Sequence, residues 1–435
     1  MKKIISIILC CAIVVGFSSC TEEEDIFDES SALRTNHAVA TYADLLTSAE
    51  NGWVMEYFAN TKEPGYPMLV KFGKDGSVVV GAKNHYSNND VYSTETSLYE
   101  VISDNGPVLT FNSYNKLLHI FSTPEDIPDT SDDDEQGLGH EGDYEFVIYE
   151  GDENHFKMKG KKYGIEIDLY RLDANQAWDT YYDQIDAIKA QLFNSKIKTL
   201  WLTVGDERYS ITGMSEGLFK FVPEGGDAVS QTDTDPFVVR FDGTVHLCVD
   251  FKGENENFAV RNFKLAEDGT LKCIDENQTA EITFGTPVEL VKESILRLDK
   301  NNTDATVADA YNVLSTTMRG EGYGALQYMQ MVYNSTADRF EVTLRTPSVT
   351  SVCYFSYTES NSNTIALNLD LDTMKAEASK FANVENATVL YDIMPEFKAF
   401  VDLMATSFEV VTSSPLNVDT VNLQSSAYTI VMNLQ

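Results

Sequence analysis

The chain has 435 residues, of which 43% are hydrophobic and 11% are aromatic. This apolar content excludes a disordered chain and is enough to bury the cores of two or more domains. The 68 acidic side chains outnumber the 32 basic ones and give a formal net charge of −36 at pH 7. Because phosphate binding relies on lysines and arginines, this charge argues against a nucleic-acid partner.

The N-terminus has the pattern of a bacterial lipoprotein signal. Two lysines precede an apolar stretch over residues 4–17, which is shorter than the ~20 apolar residues of a membrane-spanning helix. Small residues then stand directly before Cys20, as in a lipobox, although the aromatic Phe17 departs from the usual pattern. We therefore predict a lipoprotein signal peptide over residues 1–19 and lipidation of Cys20. The alternative is an ordinary signal peptide.

An acidic segment follows the predicted lipidation site. Residues 21–25 are a threonine and four acids, and they begin a polar tether over residues 20–37. Such a run resembles the signal that exports Bacteroidetes lipoproteins to the cell surface, and the alternative is a solvated tether alone. No later segment approaches 18 consecutive apolar residues, so we predict a surface-exposed, lipid-anchored protein of the outer membrane that does not span the bilayer.

Residues 38–173 have the pattern of an antiparallel β domain. A short helix near Tyr42–Leu46 precedes eight β-rich runs that are separated mostly by Gly, Pro, Asn or Asp. Short strands in succession, with no long helix between them, predict a lipocalin-like barrel or a sandwich of two sheets. The predicted strands cover residues 52–58, 68–72, 77–82, 96–103, 108–114, 144–149, 155–159 and 165–172.

The rest of the chain mixes the two periodicities. Within residues 174–198, apolar side chains from Trp178 to Leu192 recur at spacings of three and four, which predicts an amphipathic helix. Residues 199–435 combine strand-like runs with helical patterns and indicate one α+β region, or two subdomains divided near residues 299–304. The predicted fold class is therefore α+β, dominated by β-strands.

Three Asp-Gly pairs, at residues 75–76, 242–243 and 268–269, each stand between an apolar run and a small hydroxyl residue. Asp and Gly both tolerate positive φ, so each pair predicts the tip of a hairpin with both residues in that conformation.

One segment matches the nucleophile motif of a hydrolase. Residues 213–217 have the pattern G-x-S-x-G, but that motif needs a helix after the serine, and residues 218–223 have a strand pattern. The downstream His246 lies inside another strand pattern, and no acid-then-histidine order completes a triad. The sequence also does not pair its carboxylates into a glycosidase acid and base. We predict no catalytic residues and no cofactor.

An acidic loop raises the question of calcium. Residues 125–143 contain a spacing of oxygen ligands similar to a calcium loop. Gly139, however, stands where such loops have an apolar residue, and Asp143 stands where they have a bidentate Glu. We favour a solvated surface loop, with calcium binding as the alternative.

The histidines and cysteines predict no metal site. His119, His140 and His155 lack the spacings that zinc ligands usually have, and His119 is interpreted as a buried, hydrogen-bonded residue. Three cysteines remain after Cys20, an odd number. We expect Cys248, Cys273 and Cys353 to be buried free thiols, with a Cys248–Cys273 disulfide as the alternative.

Several segments together resemble a Bacteroidetes surface-lipoprotein family that is defined only as a domain of unknown function. The resemblance extends over about residues 42–171 and implies a location beside TonB-dependent import systems. It therefore implies a TonB-dependent transporter complex as partner, and it carries no catalytic residue. The matching segments are residues 51–53, 69–72, 97–99, 106–115, 118–119 and 142–148.

These observations favour a non-catalytic binding or accessory component of a nutrient-import system, with a glycan or peptide as ligand. One alternative is a structural or adhesive surface protein. The other is a hydrolase that uses carboxylates, which a cluster of close, buried carboxylates in a cleft would favour.

Overall fold

The computed structural model describes residues 30–123, 140–193, 196–212, 217–226, 234–253 and 257–435. These residues form a nine-stranded sheet and two closed eight-stranded barrels, together with helices. The α+β class dominated by β-strands is therefore confirmed. In the described part of the chain, no helix has both the length and the apolar character needed to cross a membrane.

The first unit is an antiparallel sheet, called the N-terminal sheet below. Its strands are β1 (Trp53–Tyr57), β2 (Tyr66–Phe72), β3 (Ser77–Ala82), β4 (Ser93–Leu98), β5 (Glu100–Ser103), β6 (Pro107–Thr110), β7 (Glu145–Gly151), β8 (His155–Gly160) and β9 (Glu166–Arg171). The strand order 4-3-2-1-9-8-7-6-5 puts β4 and β5 at opposite edges. Because only Tyr99 separates these two strands in the chain, the sheet curls until its edges approach each other.

Tyr99 divides a stretch that the sequence predicted as one strand. Its ring packs against Phe72 with the ring centroids 4.6 Å apart, and its backbone N–H donates to the Gly76 carbonyl at 2.9 Å. These contacts turn the chain out of β4, so the N-terminal sheet has nine strands where eight were predicted.

Three helices accompany the N-terminal sheet: α1 (Ser31–Ser48), α2 (His85–Asn88) and α3 (Lys116–His119). Helix α1 starts well before the short helix predicted near Tyr42 and includes residues assigned to the tether. It can start there because the Ser30 side chain accepts a hydrogen bond from the Leu33 backbone and caps the helix. The helix packs against β2, β5 and β6.

Helix α4 (Trp178–Leu192) follows the N-terminal sheet, as predicted. Tyr181, Tyr182 and Ile185 are buried on one face of it. The Tyr182 hydroxyl donates to the Pro67 carbonyl at 2.9 Å, and the Trp178 indole donates to the Asn51 carbonyl at 3.0 Å. These bonds hold α4 against the N-terminal sheet.

Two closed barrels follow. The first barrel consists of β10 (Leu200–Val204), β11 (Glu207–Thr212), β12 (Leu218–Pro223), β13 (Asp235–Val239), β14 (Val245–Phe251), β15 (Val260–Leu265), β16 (Leu271–Cys273) and β17 (Ala280–Thr283). The second barrel consists of β18 (Leu296–Leu298), β19 (Tyr328–Asn334), β20 (Arg339–Arg345), β21 (Thr350–Asn361), β22 (Thr364–Leu369), β23 (Ser407–Thr412), β24 (Thr420–Gln424) and β25 (Thr429–Leu434).

Helices α5 (Pro287–Glu293), α6 (Ala305–Gly320), α7 (Leu371–Glu377), α8 (Ala382–Ile393) and α9 (Pro395–Asp402) complete the C-terminal half. Both barrels and α4 share one continuous hydrophobic core, whereas most of the N-terminal sheet has a core of its own. Buried charged and polar side chains lie at the boundary between these two cores.

The Asp-Gly pairs form hairpin turns, as predicted, but with a different backbone. Only the glycines have positive φ, at +82° for Gly76, +81° for Gly243 and +83° for Gly269. The preceding aspartates instead accept hydrogen bonds from the residue after each glycine, at 3.0 to 3.1 Å. This is the pattern of a longer turn that ends in one left-handed glycine.

Gly52 is the glycine on which the start of β1 depends. It has φ +85°, and a Cβ there would lie 2.4 Å from the Val70 carbonyl oxygen. We expect Gly52→Ala to lower the free energy of unfolding by about 1 to 3 kcal/mol because it adds backbone strain and a backbone clash. Gly320→Ala is the control, since a Cβ there meets nothing within 4 Å. Urea unfolding measures both variants, and equal free energies of unfolding for Gly52→Ala and Gly320→Ala would contradict this role of Gly52.

The three cysteines are free thiols, as predicted, and burial raises the pKa of each to about 12. Cys248 and Cys353 are buried. Cys273 was expected to be buried as well, but it is partly exposed because β16 ends at this residue.

Candidate functional site

Two carboxylates lie side by side on the face of the N-terminal sheet that meets the first barrel. Alternate residues of β1 from Trp53 to Tyr57 point into the core of the sheet, so Glu56 lies on the opposite face. Asp168 on β9 is directly opposite Glu56 in the strand register. Like charges in this position repel each other, and they need partners.

The first barrel supplies a partner for Glu56. Arg240 follows β13, and its Nε and Nη2 donate to the Glu56 Oε1 and Oε2 at 2.6 and 3.0 Å. The guanidinium also lies over the Tyr170 ring, 4.3 Å from its centroid. The Glu56 side chain is only 3% exposed, so this two-point ion pair is buried between the N-terminal sheet and the first barrel.

Asp168 is held by a histidine of the N-terminal sheet. The His155 Nε2 lies 2.7 Å from the Asp168 Oδ1, and the His155 ring stacks on Tyr170 with centroids 4.4 Å apart. The other oxygen, Oδ2, faces the first barrel and lies 3.6 Å from the His246 Nε2.

His246 projects from β14 toward both carboxylates, while its neighbours Val245 and Leu247 fill the barrel core. Its Nδ1 lies 2.7 Å from the Asn262 Oδ1, and the Asn262 amide donates to the Asp275 Oδ1 at 2.7 Å. Because Asp275 takes the amide N–H, the Asn262 oxygen faces the ring, so Nδ1 carries the proton and Nε2 has a free lone pair.

The Nε2 atom of His246 has no hydrogen-bond partner among the described residues. It lies 3.7 Å from the Glu56 Oε2 and 3.6 Å from the Asp168 Oδ2, and the His246 side chain is 5% exposed. Burial lowers the pKa of His246 to about 3. The imidazole is therefore neutral at neutral pH, and its contacts with the carboxylates are not salt bridges.

The two carboxylates have different pKa shifts. Burial raises the pKa of Glu56, although the hydrogen bonds and charge of Arg240 oppose the rise. Burial is also the largest single influence on Asp168 and acts in the same direction, but the hydrogen bond from His155 and the nearby charged groups together outweigh it and lower the pKa of Asp168. Asp168 is therefore ionised at neutral pH.

A cavity of about 360 Å³ opens beside this cluster, between the N-terminal sheet, α4 and the first barrel. We call it the cleft. Glu56 and Arg240 form part of its wall, and the rings of Tyr170, Tyr181 and Phe241 line it. Phe241 is 47% exposed and its ring lies parallel to that of Tyr181, with centroids 6.0 Å apart. Polar side chains complete the lining: Arg171, Asp173, Gln176 and Asp242.

A second, more polar cavity of about 530 Å³ adjoins the cleft and shares residues 170–173 with it. Its other polar lining residues are Ser48, Glu50, Asn51 and Asn154. The two cavities together form an extended depression at the boundary between the N-terminal sheet and the first barrel.

Most of the loop and motif residues that the sequence singled out are not among the described residues. Cys20 lies outside the described residues, as do residues 124–139 of the acidic loop and residues 213–216 of the G-x-S-x-G segment. Asp143 is described, and its two oxygens accept the backbone N–H groups of Lys162 and Tyr163 at 2.9 Å. Strand β12 starts at Leu218, so no helix follows the G-x-S-x-G segment.

Of the three histidines considered for a metal, only His155 lies at the cluster. His119 is buried and hydrogen bonded to Asn115 and to the Phe111 carbonyl, as predicted, and burial lowers its pKa. His140 pairs with Glu63. Within the described residues, the group whose possible ligand atoms lie within 4.8 Å of one another is Glu56, Asp168 and His246.

Sequence reasoning missed Glu56 and Asp168. Each is a charged residue inside an apolar strand pattern, over residues 52–58 and 165–172, and this was the available signal. His246 was considered only as a triad histidine for the G-x-S-x-G segment and was set aside because it lies in a strand pattern. What brings the three together is the packing of the first barrel on the N-terminal sheet.

Comparison with protein families gives one match. Residues 23–217 match the model of a family described as a domain of unknown function (DUF4302). The predicted resemblance to a domain of unknown function is confirmed to that extent. A comparison with curated proteins gave no match.

Solved structures of bacterial sliding clamps align along most of the chain at low similarity. A DNA polymerase sliding clamp from Pseudomonas aeruginosa with ligand is 11% identical, with 93% of this chain and 97% of that chain covered and a TM-score of 0.12. The DnaN clamp from Bartonella birtlesii is 10% identical, with coverages of 91% and 97% and a TM-score of 0.13. Likenesses at such TM-scores carry no argument about fold or function.

Proposed function

We propose that the protein is a non-catalytic binding component of the bacterial cell surface and that the cleft is its ligand site. The observation that carries this proposal is the concave, ring-lined cavity at the boundary between the N-terminal sheet and the first barrel. Ligand sites in proteins are concave, occur preferentially at such boundaries, and combine apolar surface with a few oriented polar groups.

The lining favours a neutral ligand with flat apolar faces and hydroxyl groups, such as an oligosaccharide. The Tyr181 and Phe241 rings offer stacking surfaces, and Gln176 and Asp173 offer hydrogen bonds. Arg240 is already paired with Glu56, and the chain carries a large negative charge, so an anionic ligand fits poorly.

A binding assay with single-site variants tests the cleft. Phe241→Ala removes a half-exposed ring, so we expect the fold to remain and the affinity for a bound oligosaccharide to fall about 10-fold or more. Tyr149→Ala is the matched control because this ring, on β7, is 60% exposed and does not line the cleft. Equal affinities of the two variants, or binding of peptides alone, would refute the proposed ligand class.

The location is proposed from the sequence. Signal-peptide cleavage before Cys20 and acylation of that residue would anchor the chain to the outer membrane, with the acidic run favouring the outer face. Metabolic labelling with a palmitate analogue tests the anchor, since Cys20→Ser should abolish the label. Protease digestion of intact cells tests exposure, and protection of the chain would place it inside the cell envelope.

The proposed partner is a TonB-dependent transporter complex, which the family resemblance implies. Cross-linking in intact outer membranes, followed by purification of the tagged lipoprotein and mass spectrometry, tests this partner. Stoichiometric recovery of a transporter is the expected result. Recovery of the lipoprotein alone would favour a free-standing binding or adhesive role.

A carboxylate-dependent hydrolase is the second candidate function, since Glu56 and Asp168 are close, buried and shifted apart in pKa. The geometry favours it less. Asp168 does not line the cleft, and both oxygens of Glu56 bond to Arg240. Product analysis after incubation with the bound oligosaccharide separates the two functions, because the binding proposal expects no cleavage.

A further inference from the structure

We infer that Glu56, Asp168 and His246 form a binding site for a divalent transition-metal cation of the Zn²⁺ type, between the N-terminal sheet and the first barrel. The inference is independent of the proposed ligand, because it rests on the three donor atoms and their surroundings. One carboxylate oxygen from β1, one from β9 and one imidazole nitrogen from β14 converge there.

The unpartnered nitrogen of His246 is the first argument. Its Nε2 atom lies 3.7 and 3.6 Å from two carboxylate oxygens, an arrangement of three electron-rich atoms in a buried space. Without a cation between them these atoms repel one another, since none of the three donates a hydrogen. A bound cation turns each repulsive contact into an attractive one.

The spacing of the donors is the second argument. The Nε2 atom lies 3.7 and 3.6 Å from the two carboxylate oxygens, and all three possible ligand atoms lie within 4.8 Å of one another. With two edges of 3.6 to 3.7 Å and a third of at most 4.8 Å, the point equidistant from the three atoms lies about 2.0 to 2.4 Å from each of them, close to the distance of Zn²⁺ from nitrogen and oxygen ligands.

The groups behind the donors are the third argument. Asp275 orients Asn262, and Asn262 fixes the tautomer of His246 that leaves Nε2 free. His155 holds the Oδ1 atom of Asp168, which leaves Oδ2 for the cluster. Partners of this kind orient the ligands in metal sites, where a histidine usually donates its other N–H to an acceptor.

The charge balance accommodates a cation. Glu56 and Asp168 carry two negative charges, and Arg240 bonds directly to Glu56. The nearby Arg261 is paired with another carboxylate, that of Glu166, at 2.8 Å. The hydrogen bond of Nδ1 to Asn262 leaves the lone pair on Nε2, which is the form in which a neutral imidazole binds a metal. Because one donor is an imidazole nitrogen, the site suits Zn²⁺ or a similar transition metal better than Ca²⁺ or Mg²⁺, which prefer oxygen ligands.

Zinc titration of the full mature chain, after removal of metals with EDTA, tests the inference. We expect one equivalent of Zn²⁺ to bind and to raise the temperature of unfolding. His246→Ala and the isosteric Asp168→Asn should weaken this binding about 100-fold or more. Neither Ca²⁺ nor Mg²⁺ should give a comparable shift.

His85→Ala is the matched control, because His85 is an exposed histidine that lies 3.6 Å from the carboxylate of Asp90. It should bind Zn²⁺ as the wild type does. If instead only His85→Ala lost binding, the metal would be held by a surface pair and the inference would be wrong.

X-ray absorption of the zinc-loaded wild type needs no variant and keeps the test decisive if a variant fails to fold. We expect nitrogen and oxygen ligands at about 2.0 to 2.2 Å with the outer-shell scattering of a single imidazole. Absence of saturable Zn²⁺ binding, or a bound zinc with no imidazole, would overturn the inference.

Discussion

Arg240→Ala is expected to lower the free energy of unfolding of the N-terminal sheet and first barrel by about 3 to 5 kcal/mol. The substitution removes both hydrogen bonds to Glu56 and leaves that carboxylate buried without its cation. The three tryptophans, Trp53, Trp178 and Trp201, lie in the N-terminal sheet, α4 and the first barrel. Urea unfolding followed by tryptophan fluorescence therefore reports on the affected units.

Two further variants distinguish the effect of the buried ion pair on stability from the effect of a surface ion pair. Glu56→Met combined with Arg240→Met removes both charges, and we expect it to recover most of the lost stability. Lys264→Ala breaks a pair with Asp242 whose side chains are 45% and 55% exposed, and it should change stability by less than about 1 kcal/mol. A loss in Arg240→Ala no larger than that in Lys264→Ala would contradict the importance of the buried pair.

Trp53→Ala is expected to lower the stability of the N-terminal sheet by about 3 to 5 kcal/mol through the cavity it creates. Trp53 is fully buried, packs edge-on against Phe156 with centroids 5.1 Å apart, and donates its indole N–H to the Leu46 carbonyl at 2.9 Å. Because Leu46 belongs to α1, the substitution also weakens the contact of this helix with the sheet. Circular dichroism during heating measures the effect.

Trp53→Phe keeps an aromatic ring and loses the indole hydrogen bond, so its cost should be clearly smaller than that of Trp53→Ala. Tyr149→Ala removes an exposed ring from β7 and should cost less than about 0.5 kcal/mol. If Trp53→Ala unfolded at the same temperature as Tyr149→Ala, the assignment of Trp53 to the core would be wrong.

Local patterns predicted most elements of the fold, because alternation and turn residues act over a few positions. The strand at 77–82 has its predicted bounds in the structure, and the helix Trp178–Leu192 lies within the predicted segment 174–198. The start of α1 was missed because it depends on one capping residue, Ser30. The division between β4 and β5 was missed because it depends on the burial of the Tyr99 side chain, which a local pattern does not show. Closure of the two barrels depends on pairing between distant strands, such as β10 with β17, which periodicity does not show.

The candidate site was less predictable than the fold. Arg240 and Glu56 are 184 residues apart in the chain, and the register of β1 with β9 adds Asp168. A single sequence gives the types of these residues but does not show that they lie close together in the fold. The usable signal was a charge inside an apolar strand, as at Glu56, because such a residue must have a buried partner.

Hydrogen–deuterium exchange of the full chain, with and without the oligosaccharide that gives the largest thermal shift, tests the central claim most directly. If the cleft is the ligand site, protection should appear in β1, in β9 and in residues 238–242, and the second barrel should be unchanged. Protection confined to the second barrel, or to surfaces away from the cleft, would contradict the account.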